Sequence, residues 1–374
     1  MKKYLRQTNV NLHRDAWLEI NLENLAQNIK EIRKGIPDSK KILAIVKADA
    51  YGHGAVMLAK TMAASGVDMF GVASVDEGID LREGGIKEPI LVVGAAPVWA
   101  FETAAKNDIA ISIFNQSHID ACKEVYERCG LKTKVHVKID TGMNRIGVRD
   151  SLAVDYINKV KTCEFLDFEG VFTHLSMAED EEVTNLQVEK WNSVINKIDT
   201  SGLLLHIQNT AGVFSYNIDS NMVRLGIALY GLYPDLKKNL IYKPELKQLL
   251  SLKGRITNIH EVYEGEGVSY SQTFKAYEPT RIATVPIGYA DGVSRGLSNK
   301  IVGELNGKKI RQVGNITMDQ MMFDIGDCEA NVGDVITLLN DKDLSLDSWA
   351  EILGTINYEL TCRLKVRLPR IYTR

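Results

Sequence analysis

From about residue 17 to residue 230 the chain alternates short apolar runs with amphipathic stretches, and this strand-then-helix period constrains the fold more than any other feature. The runs are WLEINL, KILAIV, DMFGVAS, PILVVG, IAISIF, KVHVKI, FEGVFT, LLLHIQ and MVRLG. Between them, NLENLAQNIKEIRKGI places Leu25, Ile29 and Ile32 on one helical face, and EEVTNLQVEKWNSVINKI does the same with Val188, Trp191, Val194, Ile195 and Ile198. Repeated β-α units imply parallel strands joined by helical crossovers. About nine runs over roughly 215 residues suit a (β/α)8 TIM-like barrel with one peripheral strand. The competing arrangement is an open doubly wound sheet.

Past residue 245 the texture changes to LKGRITNIHEVY, RIATVPIGYADG, KIVGELNGKKIRQVG, MMFDIG and DVITLL, strand-like runs with short turns, and only LDSWAEILG reads as helix. This divides the chain into an α/β barrel over 14–245 and a mostly β C-terminal domain over 246–374, with residues 1–13 available to pack on the latter. Asn306-Gly307 between alternating runs is a type I′ hairpin signal, which removes a phosphate-loop reading of GELNGKK.

The function classes open to such a chain are narrowed by charge. Lys plus Arg total 45 against 48 Asp plus Glu, a net charge of -3, so no electrostatic footprint for nucleic acid or an anionic membrane exists. No stretch approaches the roughly 18 apolar residues of a membrane span, and MKKYLRQTNVNLHRD has no apolar segment behind it, so a cytoplasmic protein is expected. The five cysteines form no C-x-x-C pair, which predicts reduced, mostly buried thiols and no metal site.

In a barrel of this kind, residues just beyond the carboxyl ends of the strands face the site. KILAIV runs into Lys47, then Tyr51, His53 and Gly54; a lysine leaving an apolar strand is desolvated, which lowers its pKa and suits it to imine formation or proton transfer. A snorkelling lysine is the plainer alternative for that residue alone. KVHVKI ends in Lys138 and leads to Arg145, FEGVFT leads to His174, LLLHIQ leads to Asn209 and Thr210, and MVRLG puts Arg224 before Gly226 and Ile227. Loops after the last two strands are the recurring phosphate site of barrels, and Asn209, Thr210 and the Gly226 and Ile227 amides offer donors there. An active lysine beside a phosphate anchor points to pyridoxal 5′-phosphate.

The blocks AIVKADAYGHG, KVHVKIDTGMNRIGV, EGVFTHLSMAEDE, HIQNTAG, MVRLGIALYGLYP, GVSYSQTF, TVPIGYADGVSR, VGNITMDQ and INYELTCRLKVRLPRIY, in this order and over essentially the whole chain, closely resemble alanine racemase. The resemblance implies a pyridoxal-phosphate barrel with a β domain, working as a homodimer with composite active sites and supplying D-alanine for peptidoglycan. It implies that Lys47 holds the cofactor as an imine and that Lys47 and Tyr270 are the two acid-base groups of a two-base mechanism, on opposite faces of the substrate. His174 would tune Tyr270, and Arg224 would face the pyridine nitrogen. Tyr51, Asn209, Thr210, Tyr358 and the Gly226 and Ile227 amides would anchor the cofactor. Arg145 and the Met318 amide would bind the substrate carboxylate, Lys138 matches a position that is carbamylated in many members, and Tyr289 and Arg295 would line the access. Asn144 and Ser271 stand where glycine is common, and Thr210 where serine is. The alternatives within the same fold are a broad-specificity or serine racemase, a decarboxylase on the same plan, or a noncatalytic pyridoxal-phosphate-binding protein.

Overall fold

The computed structural model describes residues 5–6, 13–234, 236, 240–364 and 367–374. Eight parallel strands form a barrel: β1 (Lys41–Ile45), β2 (Met69–Val72), β3 (Ile90–Val92), β4 (Ile109–Ile113), β5 (Thr133–Asp140), β6 (Leu166–Phe172), β7 (Leu204–His206) and β8 (Met222–Leu225). They pair in the order β4-β3-β2-β1-β8-β7-β6-β5, and β4 also pairs with β5, which closes the ring and excludes the open sheet. Strands β2, β3, β4 and β8 are buried along their whole length, as continuous apolar runs covered on both faces should be.

Helices surround the ring with the faces that the periodicity picks out. Helix α1 (Leu22–Arg33) starts where the Asn21 side chain accepts from Asn24 N, and it buries Leu25, Ile29 and Ile32. Helix α2 (Glu181–Ile195) buries Thr184, Gln187, Trp191 and Val194, with Val188 and Ile195 half-buried at the edges of that face and Ile198 beyond its end.

The ninth apolar run is not a barrel strand. Ala16–Asn21 lies in the second sheet, antiparallel to Leu250–Arg255 and parallel to Arg370–Thr373. Its alternating burial is that of a strand covered on one face, so the run carried its own distinguishing signal. The remaining strands of that sheet among the described residues follow Leu250–Arg255 in the order Val335–Leu339, Val302–Leu305, Lys308–Val313, Met321–Asp324, Thr280–Val285 and Asn258–Val262. Asn306 (φ 50°) and Gly307 (φ 78°) turn the hairpin between Leu305 and Lys308, the pair of left-handed residues that a type I′ turn requires. Of residues 1–13, 1–4 and 7–12 lie outside the described residues, and Leu5–Arg6 pairs with Ile371 and Tyr372.

Two sequence readings need correction. The second domain holds, besides Leu346–Leu353, a further helix α3 (Asn357–Arg363), hidden in a polar stretch too short to show an apolar period. All five cysteines are free as expected, but only Cys122 is buried; the other four are half-buried, Cys129 and Cys362 in the last turns of helices.

The second domain grips the segment that follows β1. Arg370 Nε donates to Gly52 O at 2.8 Å, Tyr372 Oη donates to His53 O at 3.2 Å, and a Cβ on Gly54 (φ +97°) would run into the Tyr372 hydroxyl. Gly54→Ala is therefore expected to cost more than about 2 kcal/mol, through both clash and backbone strain, whereas Gly307→Ala, which opens onto empty space at φ +78°, costs roughly 1 kcal/mol of strain alone. Urea unfolding of the two variants checks the ordering.

Candidate active site

Lys47 leaves β1, and the next four residues, Ala48, Asp49, Ala50 and Tyr51, all have φ between 52 and 54°, one turn of left-handed helix built without glycine. Each such residue costs roughly 1–2 kcal/mol, so the surroundings must over-determine the turn. Ala48 N donates to Glu77 Oε1 and Ala73 N to Glu77 Oε2, at 2.8 and 2.7 Å. One carboxylate thus ties the loops after β1 and β2 together. Asp49 accepts from Ala55 N at 2.8 Å and pairs with Arg370 at 3.3 Å. The Tyr51 ring packs 4.9 Å from Tyr230, whose hydroxyl donates to Ile45 O at 2.8 Å. The result is that Lys47 and Tyr51 line the same cavity.

That cavity has a volume of about 690 Å³ and is lined by Lys47, Tyr51, Lys138, Arg145, His174, Asn209, Thr210, Arg224, Gly226, Ile227 and Tyr358, every one a residue singled out in the sequence. Ile45, Val93, Phe172, Ala211, Ile356, Glu359, Cys362 and Arg363 complete it. Glu77 was missed: it sits in an otherwise ordinary helix start, SVDEG, and only the fold brings its carboxylate to the amide after Lys47.

Five basic side chains line this space: Lys47, Lys138, Arg145, Arg224 and Arg363. Arg224 is buried and donates to the carbonyls of His206, Thr173 and Ile207 at 2.8, 2.7 and 3.0 Å, and to Nδ1 of His206 and of His174, both at 3.0 Å. No carboxylate is among its partners in the described residues. Burial pushes Arg224 down to about 9, which still leaves it protonated at neutral pH. Burial first, then the charges of Arg224 and Arg145, brings Lys138 down to about 7. Lys47 is lowered by burial and then by Arg145, partly opposed by Glu77. The Phe172 ring has the Lys138 ammonium 5.3 Å and the Arg224 guanidinium 5.5 Å from its centroid.

His174 is pushed well below its ordinary range by burial and by Arg224. Because its Nδ1 accepts from Arg224, the neutral ring carries its proton on Nε2. At the other side of the cavity the Thr210 hydroxyl accepts from Gly226 N at 3.0 Å, which occupies that amide and leaves the hydroxyl proton free, and Asn209 caps the following turn by accepting from Gly212 N at 2.9 Å. Among the described residues, no cluster of His, Cys, Asp or Glu is placed to hold a metal ion, and no helix is long and apolar enough to cross a membrane.

The other four predicted residues do not line this cavity. Tyr270, Tyr289, Arg295 and Met318 are all exposed on the second domain, Tyr270 at 75%. Their loops are stitched into one surface: Asn315 Nδ2 donates to Tyr270 O, Tyr289 N to Thr317 O, Ala290 N to Met318 O, and Ile316 N to the Ser298 hydroxyl, which itself donates to Arg295 O. Asn144 (φ 55°) and Ser271 (φ 61°) both hold left-handed backbone, the physical reason that glycine suits those positions.

Comparison with known proteins places this geometry among relatives. The family model described as alanine racemase, N-terminal domain, matches residues 20–234, and that of the C-terminal domain matches 249–372. Alanine racemase 1 of Oceanobacillus iheyensis is 36% identical over 97% of this chain and 99% of its own, and alanine racemase 2 of Bacillus subtilis 38% over 98% and 96%. Among solved structures, alanine racemase of Clostridium difficile aligns with a TM-score of 0.91 at 37% identity, covering 98% of this chain and 96% of the other. A histidine racemase of Leuconostoc mesenteroides aligns with a TM-score of 0.91 at 28% identity, covering 98% and 100%.

Acid stability follows from the buried imidazoles. Burial lowers His53 to about 4 while its Nδ1 donates to Ala50 O and Tyr51 O, both at 3.0 Å. A folded-state value below the unfolded one means that the unfolded chain binds more protons in between, so stability is complete above about pH 6.5 and is lost as the pH falls toward 4. His53→Asn, which keeps a donor near Nδ1 and cannot titrate, is expected to flatten that loss by roughly 3 kcal/mol. Unfolding free energies measured from pH 7 to 4 check it, and an unchanged slope contradicts it.

Proposed function

The chain belongs to the alanine racemase family, and from that premise we propose that it interconverts L-alanine and D-alanine with pyridoxal 5′-phosphate held in the barrel cavity. One observation carries the reading: a lysine whose protonation is disfavoured shares a cavity with a buried guanidinium that has no carboxylate partner among the described residues. The lining suits the cofactor. Tyr51, Tyr358, the Thr210 hydroxyl, Asn209 and the Ile227 amide would hold the phosphate, and Gly226 is bare because a Cβ there would stand 2.8 Å from the Tyr51 hydroxyl. Lys47 Nζ would hold the aldehyde, and Arg224 would donate to the pyridine nitrogen without protonating it.

When bound, the cofactor supplies an aldehyde that condenses with amines and a conjugated ring that takes up electron density from the α-carbon. The chain does the proton work. Lys47, whose protonation burial and Arg145 disfavour, takes or returns the α-proton at Nζ on one face. Delivery on the opposite face needs a second group, and Tyr270 of a second copy supplies it, since its own chain leaves it exposed and outside the cavity. His174, which lines the cavity, carries its proton on Nε2 and would donate a hydrogen bond to the phenol oxygen placed beside it. Arg145 binds the substrate carboxylate. At a value near 7, part of Lys138 is unprotonated at neutral pH; its amine can add carbon dioxide, forming an N–C bond and releasing a proton, and the carbamate's negative charge offsets Arg145 and Arg224. Met318, through its amide, and Tyr289 with Arg295 would complete the neighbouring copy's site from the same surface as Tyr270. In a bacterium the product D-alanine serves peptidoglycan.

A second reading, racemisation of another amino acid, is favoured by the structural likeness to the histidine racemase, for which the backbone alone makes no distinction. One methylene in a pocket shifts selectivity by only about 1–3 kcal/mol. A racemase assay across L-alanine, L-serine and L-histidine, with the absorbance spectrum recorded, is expected to give alanine as the preferred substrate and a visible band that Lys47→Ala abolishes. Tyr270→Phe should keep that band and lose at least about 100-fold in kcat. Preference for another amino acid, or a borohydride-reducible imine retained in Lys47→Ala, would overturn the assignment.

A further inference from the structure

Behind Arg224 a line of buried polar groups runs on into the barrel interior and takes part in none of the steps above. His206 closes β7 beside Arg224 on β8, and its Nδ1 accepts from Arg224 Nη1 at 3.0 Å. A neutral imidazole with a lone pair on Nδ1 carries its proton on Nε2. That nitrogen lies 2.9 Å from Nδ1 of His136 on β5, so the bond there has one possible direction: His206 donates and His136 accepts. The proton of the neutral His136 ring is then on Nε2, which has no hydrogen-bond partner among the described residues and faces the Glu169 carboxylate at 3.7 Å. Both rings are fully buried.

The backbone is shaped around this line. Val135 pairs with Phe168 and His136 with Gly170, so Glu169 is the extra residue of a bulge in β6, a device that re-aims a side chain. Gly170 is bare for the same reason, since a Cβ there would stand 2.6 Å from His136 Nδ1. Phe172 stacks on His206 at 4.7 Å with the planes 2° apart and fixes the ring's plane.

We propose that His136 is a positioning residue for Arg224: by accepting from His206 Nε2 it locks the tautomer that keeps a lone pair on His206 Nδ1 aimed at the guanidinium. The proposal rests on the reading that Arg224 faces the cofactor. Without the acceptor at His136, His206 Nε2–H is an orphaned buried donor, the ring is drawn toward the other tautomer, and a proton on Nδ1 then opposes Arg224 donor to donor.

The test uses histidine-labelled holoenzyme and 15N NMR, with His136→Leu, which removes the acceptor, and His136→Asn, whose Oδ1 stands near the place of Nδ1. Expected are an Nε2-protonated His206 in the native protein, a mixed or reversed tautomer in His136→Leu with a shifted cofactor absorbance band and kcat down roughly 5- to 100-fold at little-changed KM, and recovery of tautomer, band and kcat in His136→Asn. A native His206 protonated on Nδ1 overturns the proposal even if His136→Leu fails to fold. So do native kcat and spectrum in a folded His136→Leu, and an Asn variant no better than Leu. If the tautomers are as stated but the native protein racemises no amino acid, the functional reading fails while the hydrogen-bonded line stands.

Discussion

A guanidinium sealed inside a barrel with no carboxylate beside it has to be satisfied by neutral acceptors, and those acceptors lose their freedom in return. Arg224 draws three carbonyls and two imidazole nitrogens onto its donors. Its charge is second only to burial in lowering Lys138, His174 and His206. Two imidazoles are thereby fixed as single tautomers, one presenting Nε2–H to the cavity and the other to the barrel interior. A buried charge left uncompensated is expensive. A cavity that keeps one open, beside a lysine whose protonation burial disfavours, is suited to an anionic, ring-bearing ligand that condenses with an amine.

The second constraint is mechanical. The turn from Ala48 to Tyr51 is left-handed without glycine, and what holds it comes from three places: Glu77 on the next barrel loop, Tyr230 after the last strand, and Arg370 and Tyr372 on the final strand of the other domain. The β domain therefore clamps its own barrel's lysine loop while presenting Tyr270 to solvent. One domain supports the site in its own chain and, on the proposed reading, offers Tyr270 to a second copy.

Much of this was readable in the residue order. Strands buried on both faces announce themselves as unbroken apolar runs, and side chains at or just beyond their carboxyl ends fell into one cavity from Lys47 to Arg224. Ala16–Asn21 was the exception: its alternation, with Ala16, Leu18 and Ile20 buried, sets it apart from the unbroken runs, and its partners are Leu250–Arg255 and Arg370–Thr373. Helix Asn357–Arg363 is too short for periodicity to resolve, yet it carries Tyr358 and Cys362 to the cavity. Glu77 and His136 act through contacts between elements far apart in sequence, and Glu169 faces His136 by way of a one-residue bulge; no local pattern encodes these. Tyr270 depended on resemblance, because an exposed tyrosine in a turn has no chemistry of its own until a second copy is considered.

That second copy makes the most direct measurement possible. If Tyr270 serves the partner's site as proposed, Lys47→Ala and Tyr270→Phe damage different halves of it, so in a mixed dimer both lesions fall in one site and leave the other intact. Subunit exchange between the two inactive variants is predicted to restore racemase activity to about a quarter of the native level for random pairing of equal amounts. Dimers that demonstrably mix yet recover no activity above either parent would contradict it, and would place Tyr270 in the service of its own chain.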